Sequence, residues 1–255
     1  MLTEERRARI RAVTDERAFI SVHDLGLLLG VSEMTVRRDL DALVREGSLR
    51  RTHGGAVSLR AVPNAPYHDR ARSAVEAKRA IGEAAAALVQ EGETILLTAG
   101  TTTAAMARAL TGRQHLTVVT NAYLIVPALA AEPGIRLIAT GGEAQPQSGS
   151  LVGPVAEQVI GQLRVDRAFL GTTALDTEAG ITNGDLAEAA LQRAVMRVAR
   201  AIYVLADYTK FGKLSFAHVG PLTIATAILT DVGLDAATHE AYAARGAQII
   251  VCPDK

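Results

Sequence analysis

At residues 100–103 one glycine is followed by three threonines, Gly100, Thr101, Thr102 and Thr103, between an apolar run and an alanine-rich stretch of helical composition. A strand-to-helix turn of this kind aims backbone N–H groups and hydroxyls at one point. The helix dipole adds partial positive charge there, so a phosphate or another anion fits. The same residues also make a plain N-terminal cap, and the turn alone does not decide between the two. Small polar segments close other apolar runs: Thr120-Asn121, Thr140-Gly141-Gly142 and Gly171-Thr172-Thr173. Glu188 opens a helical stretch over 187–198, where an acid is also stabilising for ordinary reasons. Asp207 and Lys210 follow the run 201–206 and could read sugar hydroxyls and phosphate, or simply form a surface ion pair. No acid–base pair stands out as catalytic. The six histidines are scattered without metal-ligand spacing, so neither a metal nor another cofactor is expected.

A second group of residues carries a different chemistry. Val36, Leu40, Leu43 and Val44 fall at i, i+4, i+7 and i+8, one apolar stripe of a helix that Ser32 can cap. At about 100° per residue, Met34, Thr35, Arg38, Asp41, Ala42 and Arg45 point away from that stripe, with Arg37 at its edge. A short helix after a tight turn, with arginines and a threonine near its start, suits a DNA major groove. Arginine forks bind guanine edges or phosphates, and an exposed Met34 suits a thymine methyl. Glu33 and Met34 are expected to select sequence, and Thr35, Arg37 and Arg38 to fix position. Two β-prone runs then flank His53-Gly54-Gly55, with Arg50 and Arg51 at the base of the hairpin this predicts, a wing that can clamp the backbone. Residues 35–60 hold six arginines against three acids. A solvated arginine face is the ordinary alternative, but cap, stripe, arginine pair and Gly-Gly hairpin in this order favour DNA.

These residues need elements to hold them. Helices are expected around Ile10 and Val13, around Val22, Leu25, Leu28 and Leu29 ending at Gly30, and from Ser32 to Gly47, then the hairpin, giving a first domain over 1–59. Residues 60–75 carry two prolines, several charges and little periodicity, and read as a linker. From 76 to 255, helical stretches alternate with apolar runs at 94–98, 116–120, 136–140, 167–171, 201–206, 225–230 and 248–251. That alternation predicts an open α/β domain with a mostly parallel sheet, whose ligands bind outside the carboxyl ends of the strands. With 27 acids against 27 bases, net charge points to no partner. A single cysteine, Cys252, an N-terminus without an apolar signal core and the lack of a long apolar run lead to the expectation of a cytoplasmic protein off the membrane.

Gly30-Val-Ser-Glu-Met-Thr-Val-Arg-Arg-Asp-Leu-Asp-Ala-Leu, with Glu46-Gly-Ser-Leu-Arg-Arg-Thr-His-Gly-Gly-Ala, closely resembles the signature of the DeoR family of bacterial regulators. Leu151-Val-Gly-Pro, Asp166-Arg-Ala-Phe-Leu-Gly and Leu205-Ala-Asp-Tyr-Thr-Lys-Phe-Gly extend the resemblance over nearly the whole chain. It implies a winged helix-turn-helix on a double-stranded operator, usually repressing carbohydrate or polyol genes. It also implies a C-terminal domain like the ribose-5-phosphate isomerase and CoA-transferase-like folds, sensing a phosphorylated sugar or polyol. Gly100 to Thr103, Asn121, Gly171, Glu188, Asp207 and Lys210 would line that site, with Gly141 and Gly142 added from the strand-end argument. A homodimer or homotetramer on a two-fold operator is expected. The family usually has Asp where Thr98 stands, Lys where Gln192 stands and Gly where Ala174 stands, which bears on the ligand's identity. Two other readings are a sugar-phosphate isomerase with an added DNA module, which leaves the N-terminal domain unexplained, and a constitutive architectural DNA protein with a vestigial pocket.

Overall fold

The computed structural model describes residues 2–17, 19–46, 48–51, 54–58 and 65–253. The N-terminal part runs α1 (Thr3–Arg17), β1 (Phe19–Ser21), α2 (Val22–Leu29), α3 (Glu33–Arg45), β2 (Leu49–Arg51) and β3 (Gly55–Ser58). Ser21 caps α2 by accepting from Asp24 N–H at 3.0 Å, and Gly30 ends it in the left-handed region at φ 64°. Ile10, Leu25, Val36, Leu40 and Leu43 are fully buried together, which is the core the apolar stripe predicts. The hairpin gains a third strand that sequence reading did not expect, in the antiparallel order β1-β3-β2. Its presence explains Gly55: a methyl there would stand 2.1 Å from the carbonyl oxygen of Ile20 on β1. Ala42, expected on the open face of α3, is buried, and so is Asp39. The helix packs on two sides, because α1 brings Arg6 Nε to 2.5 Å and Arg7 Nε to 3.2 Å from the Asp39 carboxylate.

The stretch expected as linker contains a short helix, α4 (Tyr67–Arg72). Beyond it come α5 (Val75–Ala87), β4 (Thr94–Leu97), α6 (Thr101–Ala109), β5 (Leu116–Thr120), α7 (Val126–Ala130) and β6 (Ile135–Ala139). A hairpin, β7 (Glu143–Gln145) and β8 (Ser150–Val152), leads to α8 (Pro154–Gly161) and β9 (Val165–Gly171). After β10 (Ala174–Asp176), β11 (Gly180–Asn183), α9 (Leu186–Val198), β12 (Ala199–Leu205) and β13 (Ala217–Gly220), the fold closes with β14 (Ala227–Asp231), α10 (Ala236–Ala243) and β15 (Ile249–Cys252). Seven strands form one parallel sheet in the order β15-β14-β12-β9-β4-β5-β6, one for each of the seven expected apolar runs.

Both faces of the sheet are covered, so its strands read as nearly continuous apolar runs. Alternation still decides which face each side chain feeds. On β4, Ile95 and Leu97 join Ile81, Met106, Leu110 and Leu129 under α5, α6 and α7, while Leu96 joins Ala156, Ile160, Leu191 and Val195 under α8 and α9. The strand order reverses at one place. From β4 the chain winds outward through β5 and β6, and from β9 the other way through β12, β14 and β15. The gap between the ends of β4 and β9 is therefore the topological switch point, where open α/β sheets bind ligands.

Candidate functional site: a DNA-reading helix and an anion cleft

The N-terminus of α3 is built by its cap. Ser32 Oγ accepts from Thr35 N–H at 3.3 Å and shares a hydrogen bond with Thr35 Oγ1 at 3.0 Å. Beside them Met34 is 74% exposed, an apolar side chain held in water at the open end of the helix. Glu33 sits between His23 Nδ1 at 3.4 Å and Arg37 Nη2 at 3.5 Å, and Arg37 and Arg38 are exposed. On β2, Arg50 pairs with Val57 of β3, and Arg51 Nε lies 3.7 Å from Asp41 of α3, tying wing to helix. Gly54 is exposed and Gly55 buried, while His53 lies outside the described residues.

At the switch point a narrow cleft opens, with a cavity volume of about 20 Å³. One wall is the end of β4 and the start of α6: Ala99, Gly100, Thr101 and Thr102. Gly100 offers no side-chain cap, so the N–H groups of the first turn of α6 keep their donors for what enters the cleft. The other wall is Gly171 at the end of β9 and Thr172 and Thr173 beyond it, with Asn183 from β11. Charge is supplied by Arg70 of α4, Lys210 after β12 and Glu188 of α9. Arg70 Nε is buried and has no hydrogen-bond partner among the described residues. Burial is the leading influence on both cations and lowers their pKa values. Glu188 counters it at Arg70, and Asp207 counters it at Lys210. Behind them Lys78 is buried, its ammonium bonded to the carbonyls of Arg70 and Ser73, the latter at 2.6 Å, and burial pulls its pKa down to about 8. Lys78 thus satisfies the carboxyl end of α4 and holds the helix that carries Arg70.

Of the sequence candidates, Gly100, Thr101, Thr102, Gly171, Glu188 and Lys210 line this cleft, and Thr103, Asn121, Gly141, Gly142 and Asp207 do not. Each of the five has a local duty. Thr103 Oγ1 donates to Gly100 O at 3.0 Å. Asn121 accepts from Ala99 N–H at 3.0 Å and donates to Leu151 O at 3.1 Å, fastening the β4–α6 turn to β8. Gly142, at φ 115°, lets the turn after β6 pass β8, since a methyl would meet Val152 O at 2.6 Å, and Gly141 (φ 69°) shares that turn. Asp207 is buried and caps the turn Tyr208–Lys210 by accepting from Thr209 N–H at 3.1 Å. Glu188 is not spent on its own helix: Asp185 caps α9, and the Glu188 carboxylate accepts from Ser150 Oγ at 2.9 Å. Arg70 and Asn183 escaped sequence reading. Arg70 lay in the proline-containing stretch read as linker, where only Asp69 early and Arg70 and Arg72 late in α4 hinted at a helix.

A winged helix-turn-helix followed by an open α/β domain with a cleft at its switch point defines the class: a DNA-binding transcriptional regulator. Residues 6–62 match the DeoR-like helix-turn-helix domain and residues 73–232 the DeoR C terminal sensor domain. The chain belongs to the DeoR family. It is 36% identical to FruR of Bacillus subtilis, named an uncharacterized HTH-type transcriptional regulator, over 91% of this chain and 92% of that one. The Escherichia coli repressor CsqR is 33% identical over 85% and 83% of the two chains, and the glycerol-3-phosphate regulon repressor of the same species 29% identical over 91% and 92%. Among solved structures, a ribose 5-phosphate isomerase from Methanocaldococcus jannaschii aligns over 52% of this chain and 53% of its own, at 19% identity and a TM-score of 0.38. The relatives are named as regulators and repressors, and the chain is a regulator of transcription, not an enzyme. Among the described residues no helix is long and apolar enough to cross a membrane.

Proposed function

We propose that the protein represses carbohydrate or polyol genes and that a phosphorylated sugar or polyol, bound in the cleft between β4 and β9, releases it from its operator. The observation that carries this reading is the meeting of Arg70, Lys210 and the first turn of α6 at the switch point of the sheet. Two cations and a helix N-terminus suit a phosphate, while Glu188 and the threonine hydroxyls suit the alcohol groups attached to it. One relative is named for the regulon of a phosphorylated polyol, glycerol-3-phosphate, which supports this reading. Arg70 stands on α4, the first helix after the DNA-binding part, so a ligand that engages it acts on the chain leading to the wing. Coupling requires that the ligand bind the DNA-bound and released arrangements with different affinity.

On the DNA side, α3 enters the major groove with Glu33 and Met34 at base edges. Ser32, Thr35, Arg37, Arg38, Arg50, Arg51, His53 and Gly54 hold the phosphate backbone, while Gly55, buried against Ile20 of β1, shapes the wing without touching DNA. A dimer or tetramer presents two such helices to a two-fold operator. The test is a thermal-shift screen against phosphorylated sugars and polyols with their unphosphorylated forms alongside, followed by operator binding with each hit. Stabilisation restricted to phosphorylated compounds, together with loss of operator binding, is expected. Stabilisation by the unphosphorylated forms alone would overturn the phosphate assignment.

A further inference from the structure

The cleft opens because one rung between β4 and β9 is made by a side chain. The strands pair from Ile95↔Arg167 to Leu97↔Phe169, and Thr98 N–H continues the ladder by donating to Phe169 O at 3.1 Å. In an unbroken parallel ladder the next donor, Gly171 N–H, would reach the carbonyl of Thr98. It donates instead to the Thr98 hydroxyl, at 3.1 Å. A side chain spans the gap that backbone would otherwise close, and beyond it Gly100 and Gly171 face each other across the cleft. On its other side Gly171 is held again: Gln192 of α9 donates its amide Nε2 to Gly171 O at 2.7 Å. Thr98 and Gln192 are 1% and 3% exposed, so water does not readily replace either bond. Gln192 Oε1 has no partner among the described residues, so the amide gains its hydrogen bond in this orientation and not in the flipped one. Gly171 has no side chain with which to anchor itself, and a methyl on it would already lie 3.4 Å from Ala99 O.

We propose that Thr98 and Gln192 are positioning residues of the anion cleft: acting together on the two backbone groups of Gly171, they set the separation of its walls and hence its affinity, without touching the ligand. The proposal rests on the reading of the cleft as an anion site. It explains why neutral side chains suffice at both positions, since each serves a backbone group and neither serves a charge.

The test uses the full chain with Thr98→Val, Thr98→Ser, Gln192→Met and the Val/Met double variant. Amide hydrogen exchange at Gly171 and Thr172 reports the bracket, and calorimetric titration with inorganic phosphate reports the cleft. Thr98→Val and Gln192→Met should each speed exchange at these amides and weaken phosphate binding roughly tenfold, as expected for one buried hydrogen bond lost. Thr98→Ser, which keeps the acceptor, should restore both readouts. The double variant should lose less than the product of the two singles, because both bonds act on one residue. Unchanged exchange in both single variants overturns the proposal, as does faster exchange with unchanged phosphate affinity. So does a serine variant as weak as the valine. If the wild-type protein does not bind phosphate, the anion-site reading fails, while exchange at Gly171 still decides whether the pair positions it.

Discussion

Replacing Arg70 by alanine tests the anion cleft at the residue that sequence reading missed. A hydrogen bond to a charged group contributes about 1.5–3 kcal/mol, and each 1.4 kcal/mol is tenfold in affinity, so roughly 10- to 150-fold is at stake. Two features place the expected loss in the lower part of that range. Burial already disfavours the Arg70 cation, so part of its attraction for a phosphate is offset before any ligand arrives, and Glu188 supplies a competing negative charge nearby. A loss of about 10- to 50-fold for inorganic phosphate is expected, measured by calorimetry at low salt. Arg72, exposed on the same short helix, is the control for general electrostatics, and Arg72→Ala should change affinity less than twofold. Operator binding by the ligand-free Arg70→Ala protein should match wild type. Phosphate affinity equal to wild type in Arg70→Ala would refute the convergence argument.

Glu188→Gln should act in the opposite direction for the bare anion: inorganic phosphate binds more tightly once the competing carboxylate is gone, while selectivity for phosphorylated polyols over phosphate falls. Lys78, with its pKa near 8, predicts opposite pH slopes for stability and binding. The cost of burying its charge is fully present below pH 8 and fades as the folded protein sheds that proton first, so ligand-free stability should rise between about pH 8 and 9. Above that, the Cys252 thiol, pushed by burial up to about 11, works the other way. Because Lys78 holds the helix that carries Arg70, loss of its proton should also weaken phosphate binding through this window; melting curves with and without phosphate separate the two. Asp39→Ala strands Arg6 and Arg7 at the α1–α3 contact. Because both arginines reach water, about 2–3 kcal/mol is expected rather than the full cost of a broken buried pair, with a matching loss of operator affinity. Gly82→Ala gains about 1 kcal/mol of helix propensity inside α5, but the new methyl would stand 2.6 Å from Met106 N and 2.7 Å from Ala105 C of α6. Backbone cannot step aside as a side chain can, so the contact wins and a net loss of about 1–2 kcal/mol should appear in thermal unfolding.

The seven parallel strands were legible because each is buried on both faces, which writes an apolar run into the sequence whatever the neighbours are. The helix of the winged domain was legible for a related reason: its stripe and its cap are local. What stayed hidden depends on partners far along the chain. Strand β1 is three residues long and is ordered by its register with β3, and the small sheet β10-β11-β13 consists of three- and four-residue strands. Residue type at a strand end marks a position near the switch point but not a direction. Thr101 and Thr102 face the cleft, whereas Thr103 turns back to Gly100 and Asn121 is taken up by Ala99 and Leu151. Ala42 shows the same limit on a helix, since a stripe describes one packing partner and α3 has two.

Arg70 shows the limit most sharply. Nothing in Pro66-Tyr-His-Asp-Arg-Ala-Arg announces a ligand group, and helix α4 buries none of its own residues, so it has no apolar pattern to read. Its position comes from Tyr67 N–H donating to Gln147 O at 2.7 Å at one end and from the Lys78 ammonium at the other. With polar contacts at both ends and no apolar core beneath it, α4 is positioned entirely by partners distant in the sequence, which is why neither the helix nor Arg70 could be read from its own residues.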